Sequence, residues 1–258
     1  MNAPTSWHDQ IAVVTGGGGS IGAAIVAQLG ALGARVAAGD LNIAEERHSD
    51  DRRSAHSVDV TDAGAVDAWI DLVTERWGCP TVGVICAGIS RAGRLVELSD
   101  ADWNEVLDVN LTGAFYTARA IIRKMLAARI RGRIVFIGSW AAHAPHPHIG
   151  GYSASKAGLR ALCRTLALDH AQDGILVNEV APGIVDAGLS RELFRRDPEL
   201  EQRTRAAIPT GLLIRSEDVA RDVAFLASPD NLHTTGTVLV SDGGLSLASR
   251  MNTGRSQN

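Results

Sequence analysis

The chain has 258 residues, 45% of them hydrophobic and 21% charged, which is enough to bury a large core and too apolar for a disordered protein. Against 29 Asp and Glu, 25 Lys and Arg leave a formal charge of -4, so the basic surface that a nucleic-acid protein needs is excluded. Three scattered cysteines, Cys79, Cys86 and Cys163, fit neither a disulfide framework nor a paired-cysteine metal knuckle, and point to a reducing, cytoplasmic setting.

No basic segment followed by an apolar run occupies residues 1–10, so no signal peptide is expected there. From Gln10 to Ala34 no residue is charged, a length that could span a bilayer. Gly16 to Gly19 are consecutive, however, and would break a membrane helix. A strand over 11–14, a glycine turn and a helix over 21–32 account for the stretch better. Further strands are expected at 35–38, 55–58, 82–86, 134–137, 175–178 and 237–240. Several are apolar throughout, as in a parallel sheet covered on both faces. Helices over Ala63–Trp77, 101–128, 152–169 and 217–226 alternate with them. Their starts carry cap signals at Asp62, at Ser99 with Asp102 beyond it, and at Ser216 before Glu217. The alternation predicts an α/β chain, a Rossmann-type doubly wound parallel sheet of about seven strands with helices on both faces. Residues 190–209 break it, with Phe194 and Leu200 among many charges, and read as a substrate lid around 186–210 on a single domain spanning 1–258.

The first strand runs into Gly16-Gly17-Gly18-Gly19-Ser20-Ile21-Gly22. Glycines at such a turn let backbone approach a pyrophosphate, and the helix that follows offers N–H donors and a partial positive charge. Asp40 ends the second strand, where a carboxylate accepts hydrogen bonds from both hydroxyls of an adenosine ribose and repels a 2′-phosphate. Position 41 is Leu41 and the glycine loop holds no Arg, so NAD(H) is favoured over NADP(H). Asp59-Val60, after the third strand, could meet the adenine edge or simply serve the next helix's cap.

Tyr152 and Lys156 stand four apart in a chain with two tyrosines and two lysines. On a helix that spacing puts both on one face, about 6 Å apart along the axis. A nearby ammonium favours phenolate, making Tyr152 a general acid/base for a secondary alcohol or ketone.

With Thr15-Gly-x-x-x-Ser20-x-Gly22, Asn110 in Asp-Val-Asn-Leu-Thr-Gly, Ser139 in Ile-Gly-Ser, Tyr152-x-x-x-Lys156, Pro182-Gly183 and Ser241-Asp242-Gly243-Gly244, the chain resembles the short-chain dehydrogenase/reductase family over about residues 7 to 247. The resemblance implies that Tyr152 passes the proton while hydride moves to or from the nicotinamide. It implies that Lys156 binds the nicotinamide ribose, that Ser139 bonds the carbonyl oxygen, and that Asn110 holds a water on a proton path. Ala87, Gly88, Pro182, Gly183 and Ile184 would lie along the cofactor, Ile184 through its backbone. A homotetramer built on the helices 101–128 and 152–169 is also implied. Three departures stand out: Ser20 for a usual glycine, Cys86 where the family often has an asparagine, and Ala187 for a frequent threonine.

The function expected is therefore hydride transfer between NAD(H) and a secondary alcohol or ketone, with polyols and sugars in view. The alternatives are an NADPH-dependent 3-oxoacyl-carrier reductase and a non-catalytic dinucleotide-sensing regulator. Asp40 speaks against the first and the joint presence of Asn110, Ser139, Tyr152 and Lys156 against the second. His143, His146 and His148, in a loop with Pro145 and Pro147, read as pocket lining, with no metal expected. Arg91 and Arg94 read as surface residues before substrate anchors, and no membrane or nucleic-acid partner is expected. Nothing in the sequence names the alcohol.

Overall fold

The structure is a computed structural model that describes residues 6–43, 51–144 and 146–248. Residues 1–5 and Pro145, both used in the reading above, lie outside the described residues. Among the described residues the chain forms strands β1 (Ile11–Thr15), β2 (Arg35–Asp40), β3 (Arg53–Ser57), β4 (Val82–Ile85), β5 (Gly132–Ile137), β6 (Ile175–Pro182) and β7 (Val238–Ser241). They pair in the order β3-β2-β1-β4-β5-β6-β7, every pair parallel. The chain steps outward from β1 to β3, then returns beside β1 as β4. The sheet therefore splits at the carboxyl ends of β1 and β4, where ligands of such sheets bind.

The central strands β1 and β4 are apolar almost throughout and buried along their length because both faces are covered. Val13 packs into one core with Trp69, Ile121 and Leu159, carried by α2 (Ala63–Trp77), α4 (Gly113–Ala128) and α5 (Gly150–His170). Its neighbours Ala12 and Val14 point the other way, into a core with Ile25, Leu29 and Val223 of α1 (Ser20–Ala31) and α8 (Ser216–Leu226). A third, smaller cluster sits past the strand ends, where Trp140 and Ala144 meet Phe194, Ile208, Leu213 and Leu245.

Three local readings change. The helix over 101–128 is α3 (Asp100–Leu107) and α4 joined by a π turn, Asp108–Thr112, of the kind that gathers at functional sites. The third strand lies at Arg53–Ser57, because pairing runs Val36↔Arg53 to Asp40↔Ser57 and leaves Val58 beyond it. At α8 the cap is Arg215, whose N–H donates to Asp218 Oδ2 at 3.0 Å, so Ser216 is already helical. The other caps form as expected: Asp62 Oδ1 accepts from Gly64 N at 2.8 Å, and Ser99 Oγ from Asp102 N at 3.1 Å. The segment 190–209 is a helical hairpin, α6 (Gly188–Arg196) and α7 (Pro198–Ala207), the second capped by Asp197 on Leu200 N at 2.9 Å.

Candidate active site

β1 delivers the chain to Gly16, whose φ of 68° suits glycine, and a Cβ there would lie 2.8 Å from Ala87 N. A Cβ on Gly17 would come within 2.7 Å of Ala38 Cβ, and one on Gly22 would overlap the Gly16 carbonyl. The turn is thus pressed against β2 and β4 on one side and α1 on the other. Thr15 Oγ1 ties the ends of β1 and β4 together by accepting from Cys86 N at 3.1 Å and Ala87 N at 3.3 Å. Gly19 caps α1 without a side-chain hydrogen bond, and Gly19, Ser20, Ile21 and Gly22 all face one cavity. Backbone donors at a helix start, approached without side chains, suit a pyrophosphate.

Asp40 stands at the end of β2, its Oδ2 accepting from Gly18 N at 3.1 Å and its Oδ1 from Asn42 N at 3.0 Å. The carboxylate is held against the glycine turn, and each oxygen keeps acceptor capacity for a hydroxyl. Asp59 instead caps its own turn, accepting from Thr61 N at 2.8 Å and Thr61 Oγ1 at 2.7 Å, while Val60 is buried against Gly113. Past β6, Gly183 packs on Asp242, and the Ile184 carbonyl accepts from Ile214 N at 3.1 Å.

The cavity continues from the glycine turn to Ser139 and Tyr152 and encloses about 710 Å³. β5 leads to Ser139, and the first turn of α5 presents Tyr152. Burial pushes the Tyr152 pKa up, a hydrogen bond from Ser139 pulls it down, and the nearby Cys86 thiol adds to the rise. The net position is above the ordinary tyrosine value. The expected ammonium effect is not the one at work in this arrangement. Lys156 Nζ lies 5.7 Å from the Tyr152 ring centroid and donates instead to the Ile137 carbonyl at 2.7 Å. Lys156 is 3% exposed, and burial lowers its pKa from 10.5 to about 8.

Asn110, turned inward by the π turn, is fully buried. Its Oδ1 accepts from Ile89 N at 2.8 Å, and its Nδ2 donates to Ile89 O at 2.9 Å and Ser155 Oγ at 3.0 Å. The side chain therefore pins the loop after β4 to the start of α5, beside Gly88 and Lys156. Cys86 faces the cavity as a thiol pushed up to about 12 by burial, which favours its protonated form.

Trp140, Ile149, Ile184, Val185, Phe194 and Leu200 wall the far end, with Thr204 and Ser190 at the hairpin. The three histidines diverge. His146 lines the cavity edge-on to Trp140 at 5.9 Å, His143 turns back to Arg160, and His148 takes a φ of 66° in the turn. Among the described residues no three His, Cys, Asp or Glu gather as a metal would require. Arg91 reaches the cavity, but Glu105 takes two of its donors, at 2.9 and 2.8 Å, and Asp102 lies 3.5 Å away. Arg94 pairs with Glu97 at 3.2 Å.

Arg160 and Glu179 form a pair beside this site that was hidden in the sequence. The available signal was a lone acid in β6, whose other residues apart from Asn178 are apolar.

A family model described as enoyl-(acyl carrier protein) reductase matches residues 16–246. The chain is 37% identical over 243 residues to 3beta-hydroxysteroid dehydrogenase 1 of Eggerthella lenta, covering 91% of this chain and 93% of that protein. It is 36% identical over 248 residues to a 3-oxoacyl-(acyl-carrier-protein) reductase of Pseudomonas aeruginosa, covering 93% and 98%. A solved structure of a proposed 2-deoxy-D-gluconate 3-dehydrogenase from Agrobacterium tumefaciens, with bound NADP, superposes with a TM-score of 0.82 at 31% identity, covering 95% and 99%. Among the described residues no helix is long and apolar enough to cross a membrane. Fold, glycine cradle, tyrosine site and relatives agree that this chain belongs to the short-chain dehydrogenase/reductase family, oxidoreductases that bind a nicotinamide dinucleotide.

Proposed function

We propose that the chain interconverts a secondary alcohol and its ketone with NAD(H) as hydride partner. The single observation that carries this reading is the Ser139–Tyr152 pair in a cavity that also takes in the glycine turn, to which Asp40 is hydrogen-bonded through Gly18 N. When bound, the dinucleotide supplies the hydride acceptor or donor; the chain's residues bind, orient and move the proton. Gly16, Gly19, Ser20, Ile21 and Gly22 hold the phosphates, Asp40 takes the ribose hydroxyls, and Ala87, Gly88, Pro182, Gly183 and Ile184 line the nicotinamide half. Asp59 and Val60 frame the adenine end. Tyr152 takes or gives the hydroxyl proton, Ser139 donates to the carbonyl oxygen as charge develops, Lys156 braces the ribose, and Asn110 organises the proton path.

The cavity walls favour an uncharged alcohol on an apolar, ring-sized body over a polyol or sugar. The side chains of Ile149, Val185, Phe194 and Leu200 offer no hydrogen bonds and Trp140 only its indole N–H, so each polyol hydroxyl left unpaired against them carries a desolvation cost. Residues 1–258 act as one domain, with the α6–α7 hairpin as lid over the substrate. A cytoplasmic homotetramer completes the reading. The rival, an NADPH-dependent 3-oxoacyl-carrier reductase, has the Pseudomonas relative in its favour and Asp40 against it.

Replacing Tyr152 with Phe tests the chemistry. With NAD+ and alicyclic secondary alcohols from cyclohexanol to 2-decalol, the variant should lose about a thousandfold in kcat while binding NADH as the parent does. Undiminished turnover would remove Tyr152 from the reaction.

A further inference from the structure

Behind Ser139 lies an ion pair in a place where a parallel sheet usually buries apolar side chains. Glu179, in the middle of β6, is 0% exposed, and the Arg160 side chain on α5 is 13% exposed. Arg160 Nε donates to Glu179 Oε2 at 2.9 Å and its Nη2 to Oε1 at 2.8 Å, a two-point grip that fixes the guanidinium plane. The remaining donors turn toward the active-site strand end. Nη2 also donates to the Ser139 carbonyl at 3.3 Å, and Nη1 meets His143 Nδ1 at 3.0 Å. Gly138 completes the fit, because a Cβ there would overlap the Glu179 carboxylate. The acid thus sits under Gly138, and the arginine spans both ends of the turn that starts at Ser139 and carries Trp140.

Desolvating two charges makes a buried pair a poor source of stability, so its cost invites a positional explanation. The turn it grips holds two parts of the site. The Ser139 hydroxyl, which accepts from Ala141 N at 3.1 Å, bonds Tyr152, and Trp140 forms a cavity wall. We infer that Arg160, held by Glu179, is a positioning residue that sets Ser139 and Trp140 against Tyr152 from two turns along the same helix. The inference rests on the reading of Ser139 and Tyr152 given above. It goes beyond that reading, because neither Arg160 nor Glu179 touches the cavity.

Two variants test it. Arg160→Lys keeps the charge opposite Glu179 but cannot reach both carboxylate oxygens, Ser139 and His143 together. Arg160→Met with Glu179→Leu replaces the pair by apolar groups and keeps the core filled. Both are measured for Tm, NADH affinity by fluorescence titration, kcat and KM on 2-decalol, and the pH profile of oxidation. The expected result is a kcat loss of at least about fivefold in each, with Tm and NADH affinity close to the parent. In Arg160→Lys, where Glu179 keeps its charge near Lys156 and Cys86 is untouched, the profile should move to higher pH, since a displaced Ser139 no longer draws the Tyr152 pKa down. A kcat within twofold of the parent in a folded variant would overturn the inference. So would activity that falls only in step with Tm and NADH affinity, which would make the pair structural alone. The Tyr152→Phe result stands apart: full turnover there sinks the catalytic reading, whereas the ratio of Arg160→Lys to parent kcat still reports on the brace.

Discussion

The two ends of the cavity are built from different materials. At the cofactor end the wall is mostly backbone: Gly16, Gly17 and Gly22 are pressed so close to Ala87, Ala38 and each other that a single methyl group has no room. At the substrate end the wall is side chain, from Trp140 after β5, Ile149 before α5, and Phe194 and Leu200 on the hairpin. The first end is rigid and shared with a class of ligands; the second can change with any one residue. That division explains how one fold serves relatives whose described substrates range from a steroid to an acyl carrier.

Breaking the backbone end should have the largest effect. Gly22→Val would drive its side chain into the Gly16 carbonyl, and NADH affinity should fall at least a hundredfold by fluorescence titration, even at temperatures where the variant stays folded. An affinity within threefold of the parent would show that the turn is not a close-approach site.

Lys156, buried between the two ends, should leave a trace in stability. Its folded pKa of about 8 lies below the ordinary 10.5, so between those values the unfolded chain holds more protons and stability contributed here rises with pH. Lys156→Met escapes this penalty. Its advantage in chemical denaturation should be greatest near pH 8 and below, up to about 3 kcal/mol, and should shrink toward pH 10. A constant difference across that range would contradict the burial argument.

The side-chain end should answer in KM. Phe194→Ala, which opens the hairpin cluster, should raise KM for 2-decalol about tenfold while leaving NADH affinity unchanged. Arg91→Ala provides the contrast. With Glu105 and Asp102 already neutralising its charge, KM for the same alcohol should stay within about twofold. A larger change would mean that Arg91 leaves its partners to bind substrate.

The same division separates what the sequence revealed from what it hid. The parallel sheet was legible because apolar runs such as Ile11–Val14 need cover on both faces, and the tight turn at Gly16 because consecutive glycines let backbone segments approach closely. The pairing of Tyr152 and Lys156 on one helix face was legible through their spacing, although the pKa argument attached to it was not: burial outweighs the pull of Ser139, and the lysine bonds Ile137 instead. The π turn at Asn110 left no periodic mark, since the helical pattern runs through it. The substrate wall and the Arg160–Glu179 brace were hidden because they join residues far apart in the chain. Arg91 looked free in sequence only because Glu105 is a helix away.

The most direct test of the account is a fluorescence titration of the parent protein with NADH and, separately, NADPH. With Asp40 reading the ribose hydroxyls, NADH should bind at least about tenfold more tightly, since a 2′-phosphate would meet the carboxylate held against Gly18. Tighter binding of NADPH would contradict the assignment of Asp40 and move the acyl-carrier reductase reading to first place.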